Sequence, residues 1–375
     1  MKTLLNIEQI KSSMALAGLT QTAISEHLDV TREAVSQWLN AKAFPRPNKL
    51  LKLAKLLKLS FSELTIIEEI DEPRIAFRKA GNYKTKPEHI EKAKDMGRYL
   101  RPLVEFLPFD CLETPTVFQA PNCEYDYLHK ATDKVRNDIG LEENEIVGFN
   151  HLITRFKNLQ AVIVPVLWGA KKRHENAVHI HLPDSNTTWI YLNLDVNIHD
   201  FKFWMAHELG HCLSPSLSGD EAENFADAFA GVLLFPYEKA KNAYDELSIK
   251  TTIKSKLSYL MELAKKEVVS PATIQLQINN YARHHGYSEI DFSRQLYAWI
   301  TNFNRGYKNV SEMFFKDLDN VDAKEFIEKT ESNFETPFFD AVRQCLKKDD
   351  KGIGYIQMIT DMPLLDAREI YSELN

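Results

Sequence analysis

The chain has no CxxC pair: its four cysteines, Cys111, Cys123, Cys212 and Cys345, lie far apart in sequence. A disulfide framework is therefore not expected, and free thiols suit a reducing compartment. Long hydrophobic runs are missing too, since no apolar stretch approaches the length needed to span a bilayer. A signal-peptide core is also lacking, because Met1-Lys-Thr-Leu-Leu-Asn-Ile-Glu8 turns polar too soon. The expectation is a cytoplasmic protein with no membrane partner.

Positive charge is slightly outnumbered overall and unevenly distributed. The net charge is -7, yet residues 1–64 hold nine Lys and Arg against five Asp and Glu, which is +4 and leaves -11 for the remainder. Between Arg32 and Lys58 there are seven basic residues and one acid, Glu33. Such density on a small segment suits a polyanion, which the acidic remainder would avoid. With 44% apolar and 26% charged residues over 375 positions, the composition is that of an ordinary globular protein with room for two or three cores.

Leu19-Thr-Gln-Thr-Ala-Ile-Ser-Glu-His-Leu28 predicts a short helix with Ala23, Ile24 and Leu28 inward. A turn at Asp29-Val30 and a second helix capped by Thr31 follow. Arg32, Glu33, Ser36 and Gln37 face outward on that second helix, while Ala34, Val35 and Trp38 pack inward. This is a helix-turn-helix pattern, whose second helix enters the major groove, where Arg reads guanine and Gln reads adenine. Gln21, Thr31, Arg32, Glu33, Ser36, Gln37, Asn40 and Lys42 are the candidate DNA-contacting residues. Pro45 and Pro47 precede a leucine-rich helix from Lys49 to Lys58 that completes the small core. The stretch over about residues 6–66 resembles the XRE family of phage-repressor-type DNA-binding domains. One such domain reads a half-site, so a homodimer on DNA is expected.

Farther along stands His207-Glu-Leu-Gly-His211. Histidines at i and i+4 of a helix project from one face with Cβ atoms roughly 6 Å apart, within reach of one metal ion. Glu208 sits about a hundred degrees around the helix, which suits a general base acting on water better than a ligand. The helix should stop near Ser214-Pro-Ser-Leu-Ser-Gly219, a cluster of breakers. A catalytic zinc uses three protein ligands, and Glu223 supplies the third. The helix that carries it is apolar on most sides, with Ala222, Phe225, Ala226, Phe229, Ala230, Leu233 and Leu234, and a carboxylate buried there demands strong partners. Glu221 is explained as a capping-box partner of Ser218, and Asp220 as an acid at a helix start. Asp227, one turn on, is placed to accept from the far nitrogen of a ligand histidine.

These residues resemble the ImmA/IrrE-type metallopeptidases of bacteria and phages, whose motifs read HELGH, ExxAN or ExxAD, and FAxxLLxP. The last is matched by Phe229-Ala-Gly-Val-Leu-Leu-Phe-Pro236. The likeness extends through Arg136-Asn-Asp-Ile-Gly-Leu141, Ile190-Tyr-Leu-Asn193 and Leu263-Ala-Lys-Lys-Glu-Val-Val-Ser270, over roughly residues 124–290. It implies a Zn2+-dependent endopeptidase with Glu223 as third ligand, a pattern also similar to thermolysin-like enzymes. It further implies a regulator that cleaves a protein partner such as a transcriptional repressor, in stress responses or phage-related systems. The competing reading is a non-enzymatic transcription regulator or antitoxin that keeps the peptidase fold as scaffold or sensor.

The expected fold is multidomain and mainly α. It comprises an all-α helix-turn-helix domain over 1–67, a helical connector and Pro-rich loop over 68–122, an α+β zincin-like peptidase domain over 123–290, and a helical region of unknown role over 291–375. In the connector a helix runs from about Pro87 to Phe106. In the peptidase domain, a helix spans Tyr125 to Asp138, and Ala161-Val-Ile-Val-Pro-Val-Leu167 is a buried strand that Pro165 assigns to an edge or a bulge. The alternations at 178–182 and 190–194 form a hairpin. His179 and His181 lie on one strand face, where the choice is between a second metal and the more common wet side of a half-buried strand. His199 is a candidate for aiding an oxyanion, and Cys111, Cys123 and Cys212 for masking the zinc.

Overall fold

The computed structural model describes residues 2–40, 43–68, 72–77, 87–109, 117–142, 144–169, 177–292, 295–316 and 321–375; Lys42 and Cys111 lie outside them. The chain divides into two compact units, Met1–Glu72 and Pro73–Asn375.

The first unit begins with strand β1 (Lys2–Leu5) and continues through helices α1 (Ile7–Leu16), α2 (Gln21–Leu28), α3 (Arg32–Leu39), α4 (Pro47–Leu57) and α5 (Phe61–Leu64) to strand β2 (Thr65–Glu68). Each early helix starts on a side-chain cap: Asn6 accepts from the Gln9 N–H, Thr20 from Ala23 and Thr31 from Ala34. Pro47 opens α4 from its first position, where a missing N–H costs nothing. Ile10, Ile24, Leu28, Val35, Leu50, Leu53, Leu57 and Leu64 form the core. The unit is not all-α as expected. β1 and β2 pair antiparallel, Lys2 opposite Glu68 and Leu5 opposite Thr65, bringing the two ends of the unit together. The runs are only four residues long, and no local pattern announces a pairing across more than sixty positions.

The second unit opens with β3 (Arg74–Phe77), α6 (Pro87–Leu100) and a 3-10 turn, Arg101–Phe106. Pro102 divides the single helix expected from Pro87 to Phe106, because it lacks the N–H that an α-helix requires. Then come α7 (Tyr125–Asp138), α8 (Phe149–Asn158), β4 (Ala161–Val166), β5 (Ala177–Leu182), β6 (Thr187–Asn193), α9 (Ile198–Leu213) and α10 (Gly219–Leu234). The remainder is helical: α11 (Tyr237–Ile249), α12 (Ile253–Glu267), α13 (Pro271–His284), α14 (Gln295–Arg305), α15 (Val310–Phe314), α16 (Ala323–Phe334), α17 (Phe338–Lys348), α18 (Ile353–Thr360) and α19 (Leu364–Leu374).

The sheet order is β3-β5-β6-β4, with β4 parallel to β6 and the other pairs antiparallel. β4 is an edge strand, which accommodates Pro165. β5 and β6 form the expected hairpin, with Asn186 in the left-handed region at φ 50°. Strands β4, β5 and β6 are buried on both faces apart from the half-buried His181 and Thr188, contrary to the half-buried expectation, whereas β3 carries the exposed Arg74. The sheet's His179 face turns toward α9, and its other face is covered by helices from the end of the chain. There the Tyr191 hydroxyl donates to the Ile359 carbonyl at 2.5 Å, Trp168 Nε1 to Thr360 at 3.0 Å, and Trp189 meets Phe338 edge-on.

This layering also redraws the expected boundaries at 68–122 and 291–375. β3, from the expected connector, is a strand of the central sheet, and the C-terminal helices share its hydrophobic core. From Pro73 onward both segments belong to the second unit. Among the described residues no helix is long and apolar enough to cross a membrane.

Candidate functional site

In the first unit, α2 ends at Asp29, whose φ of 50° turns the chain sharply into Thr31 and α3. Lys49 Nζ donates to the carbonyls of Leu28 and Asp29 at 2.6 and 2.9 Å. This member of the basic cluster is therefore engaged in holding the turn, with its charge where the α2 dipole is negative. Arg32, Glu33 and Gln37 are exposed along α3, with Thr31 at its start; Ser36 and Gln21 are half-buried. Asn40 is exposed and donates from Nδ2 to the Ser36 carbonyl at 2.8 Å. Val35 and Trp38 are buried behind this face. The arrangement offers polar groups on one convex helix, backed by a core that fixes its orientation.

In the second unit, α9 and α10 cross closely. Gly210 permits it, since a Cβ there would lie 3.0 Å from the Ala226 Cα. The crossing brings together three groups that the sequence separates. His207 Nε2 and His211 Nε2 are 3.0 Å apart, and the Glu223 carboxylate reaches them at 3.5 and 3.3 Å. His207 is 0% exposed and His211 5%. Asp227 Oδ1 lies 2.9 Å from His207 Nδ1, on the side away from the cluster. Accepting that N–H fixes the tautomer and leaves the Nε2 lone pair facing His211 and Glu223.

Electron-pair donors turned toward one point repel unless positive charge stands between them, so the set suits a proton or a metal cation. The electrostatics agree. Burial opposes charge on His207, but its hydrogen bonds to Asp227 and Glu223 prevail and raise its pKa above the histidine range. Burial depresses His211, against the pull of Glu223. Glu223 is held well below the carboxylate range by the two imidazoles, although burial works the other way.

Glu208 is 1% exposed, and its Oε2 lies 3.6 Å from His179 Nδ1 on β5. Sequence reasoning missed this proximity: it weighed His179 for a second metal or a wet face, whereas the residue is buried and its ring centroid is 5.6 Å from that of His211. The signal lay in its pairing with His181 at strand period, but which helix the strand faces is a tertiary matter. His181 bonds instead to Thr188 Oγ1 at 3.1 Å. A cleft of about 480 Å³ opens beside the cluster, bounded by β3, His179, His181, His211 and the 214–219 loop.

Other expectations fall away from this centre. His199 starts α9, two turns and roughly 12 Å before His207, and packs against Phe303 and Tyr307. Cys212 is buried, and burial pushes its thiol up, away from the thiolate a metal requires. Ser218 starts α10 without a side-chain capping bond, so the capping box expected with Glu221 is not formed.

The helix-turn-helix family model matches residues 10–64. No curated protein sequence matches the chain. The chain thus carries a DNA-binding helix-turn-helix domain of the XRE type, of the kind found in transcription regulation. The match ends before the second unit, whose function is read from its side chains.

Proposed function

We propose that this protein is a DNA-binding regulator whose second unit is a zinc-dependent endopeptidase acting on a protein partner such as a repressor. The observation that carries the reading is the convergence of His207, His211 and Glu223 from two crossing helices, with the Glu208 carboxylate buried beside them. Two imidazoles and one carboxylate are the donor set of catalytic zinc, and His207, His211 and Glu223 would hold the ion. When bound, the ion supplies Lewis acidity and lowers the pKa of water toward about 7.

The chain's own groups do the rest. Glu208 takes the proton from the attacking water and passes it to the leaving amine. Asp227 keeps the His207 proton on Nδ1, so that Nε2 stays a donor. Burial of the cluster keeps bulk water from screening these interactions. The helix-turn-helix domain, through Arg32, Gln37 and their neighbours, selects the DNA next to which cleavage takes place. Two copies on one operator would give the homodimer that paired half-sites require.

Glu208→Gln is the decisive substitution. It should leave one zinc per chain by elemental analysis and abolish release of fragments from a repressor encoded beside this gene and co-expressed with the protein. Undiminished cleavage would exclude Glu208 as the base. A wild-type protein that binds its operator, carries no zinc and cuts nothing would leave only the non-enzymatic regulator.

A further inference from the structure

Among the described residues, the charged side chains that line the cleft beside the cluster are basic. No aspartate or glutamate among the described residues lines it, although the chain as a whole carries a net charge of -7, while Arg74 and Lys94 both do. Lys94 is partly spent on Glu91 at 3.5 Å. Arg74 is exposed and has no ion-pair partner among the described residues. In the register of β3 and β5, Arg74 stands opposite His181, and Ala76 opposite His179. These four residues share one face of the sheet. Asp184, which acts on His181, is engaged by Arg101 Nε at 2.7 Å.

Two positions on this face define a ruler. The His179 end lies against Glu208, at 3.6 Å. The Arg74–His181 pair is two residues farther along the strands, roughly 7 Å away. Among the described residues β3 is also the outer strand of the sheet, and an edge strand is where an extended polypeptide pairs by its backbone.

We infer that the cleft takes an extended polypeptide segment bearing an acidic side chain two residues from the bond set against Glu208, with Arg74 beside His181 as its partner. The inference rests on the endopeptidase reading for the position of the bond, and on the cleft alone for the charge. Arg74 acts here on specificity and has no part in the chemistry.

The test digests a proteome-derived peptide library with the full-length, zinc-supplemented protein and reads the cut sites by mass spectrometry. Asp and Glu should be enriched about threefold or more at the second position from the cut bond, the scale of one partly exposed ion pair. Arg74→Gln should erase the enrichment, and Arg74→Glu should replace it with Lys and Arg. Cuts without charge preference, or a preference that survives Arg74→Glu, would overturn the inference and leave the peptidase standing. If the wild type cuts nothing, the peptidase reading fails instead. The cleft is then judged by binding of fluorescein-labelled peptide pools, identical but for one fixed Glu or one fixed Lys, to full-length Glu208→Gln protein. Tighter binding of the Glu pool that Arg74→Glu reverses supports the acidic segment, and equal binding of both pools overturns it.

Discussion

Two helices, α3 and α9, carry polar side chains singled out in the sequence and treat them in opposite ways. On α3 the polar groups, Arg32, Glu33 and Gln37, lie in the open, and the apolar residues Val35 and Trp38 serve only to orient them. On α9, His207 and Glu208 are enclosed on every side. The difference follows from what each must meet. A duplex arrives with its own surface and needs groups that protrude, whereas a charged donor set gains its strength from exclusion of water. It also follows from size. The first unit is near the length at which a core barely suffices, so its caps matter; the second has a core large enough that holes matter more.

The largest expected effect therefore comes from a hole in the second unit. Phe229 is fully buried on α10, stacked on Phe225 at 6.0 Å and tilted against Phe118 at 5.8 Å. Phe229→Ala should cost about 3–5 kcal/mol in that unit's unfolding transition. DNA binding, followed by fluorescence anisotropy, should be retained. If operator affinity fell in proportion, the contrast between two self-sufficient units would break.

Acid should act next, and again on the second unit. His199 Nε2 is buried with no hydrogen-bond partner among the described residues, its Nδ1 is held by Asn197, and the ring faces Phe303, Tyr307 and the nearby Lys202. Burial, then Lys202, lowers its pKa to about 4. The unfolded residue titrates near 6.5, so between these values the unfolded chain holds the proton and the native one does not. Stability is thus complete above pH 6.5 and falls as the pH drops toward 4, by on the order of 3 kcal/mol for this group. In chemical denaturation across that range, His199→Phe should show a shallower slope than the wild type. Parallel slopes would remove His199 from the acid response.

A smaller effect belongs to the first unit. Lys49→Met leaves the Leu28 and Asp29 carbonyls without their charged donor and should cost about 1–2 kcal/mol. Operator binding should weaken through loss of the folded domain, and the melting of the second unit should stay put. A variant that lost affinity at unchanged stability would instead make Lys49 a phosphate contact.

The same contrast explains what could be read in advance. The helix-turn-helix unit is local: Thr20, Thr31, Ile24, Leu28 and Val35 announce caps and core within a few turns of each other, and their spacing carries the answer. The donor set was legible for a similar reason, because His207 and His211 share a helix face and Glu223 is a carboxylate on an apolar helix. The rest depended on long-range pairing. β3 reads as a connector because four residues such as Arg74-Ile-Ala-Phe77 acquire a meaning only beside β5, a hundred positions on. The burial of β6 depends on α17 and α18, whose aromatic and carbonyl partners for Trp189 and Tyr191 no window of sequence brings together. His179 took its place beside Glu208 by the same route.

The smallest prediction compares one kind of substitution at two helix starts. Thr31 begins α3 with φ -76° and ψ 153°, and its Oγ1 accepts the Ala34 N–H at 3.1 Å. Removing it in Thr31→Ala orphans that donor and should cost about 1 kcal/mol, a large share of a small domain's stability. Ser218 begins α10 in a similar extended conformation but makes no capping bond. Ser218→Ala should then change stability by less than about 0.5 kcal/mol, as ordinary surface substitutions do. Urea titrations of the two variants, read by hydrogen exchange at the first turn of each helix, separate the cases. Equal losses at both starts would mean that the helix carrying Glu223 depends on its cap after all, and that the division between a cap-dependent first unit and a core-dependent second unit is drawn in the wrong place.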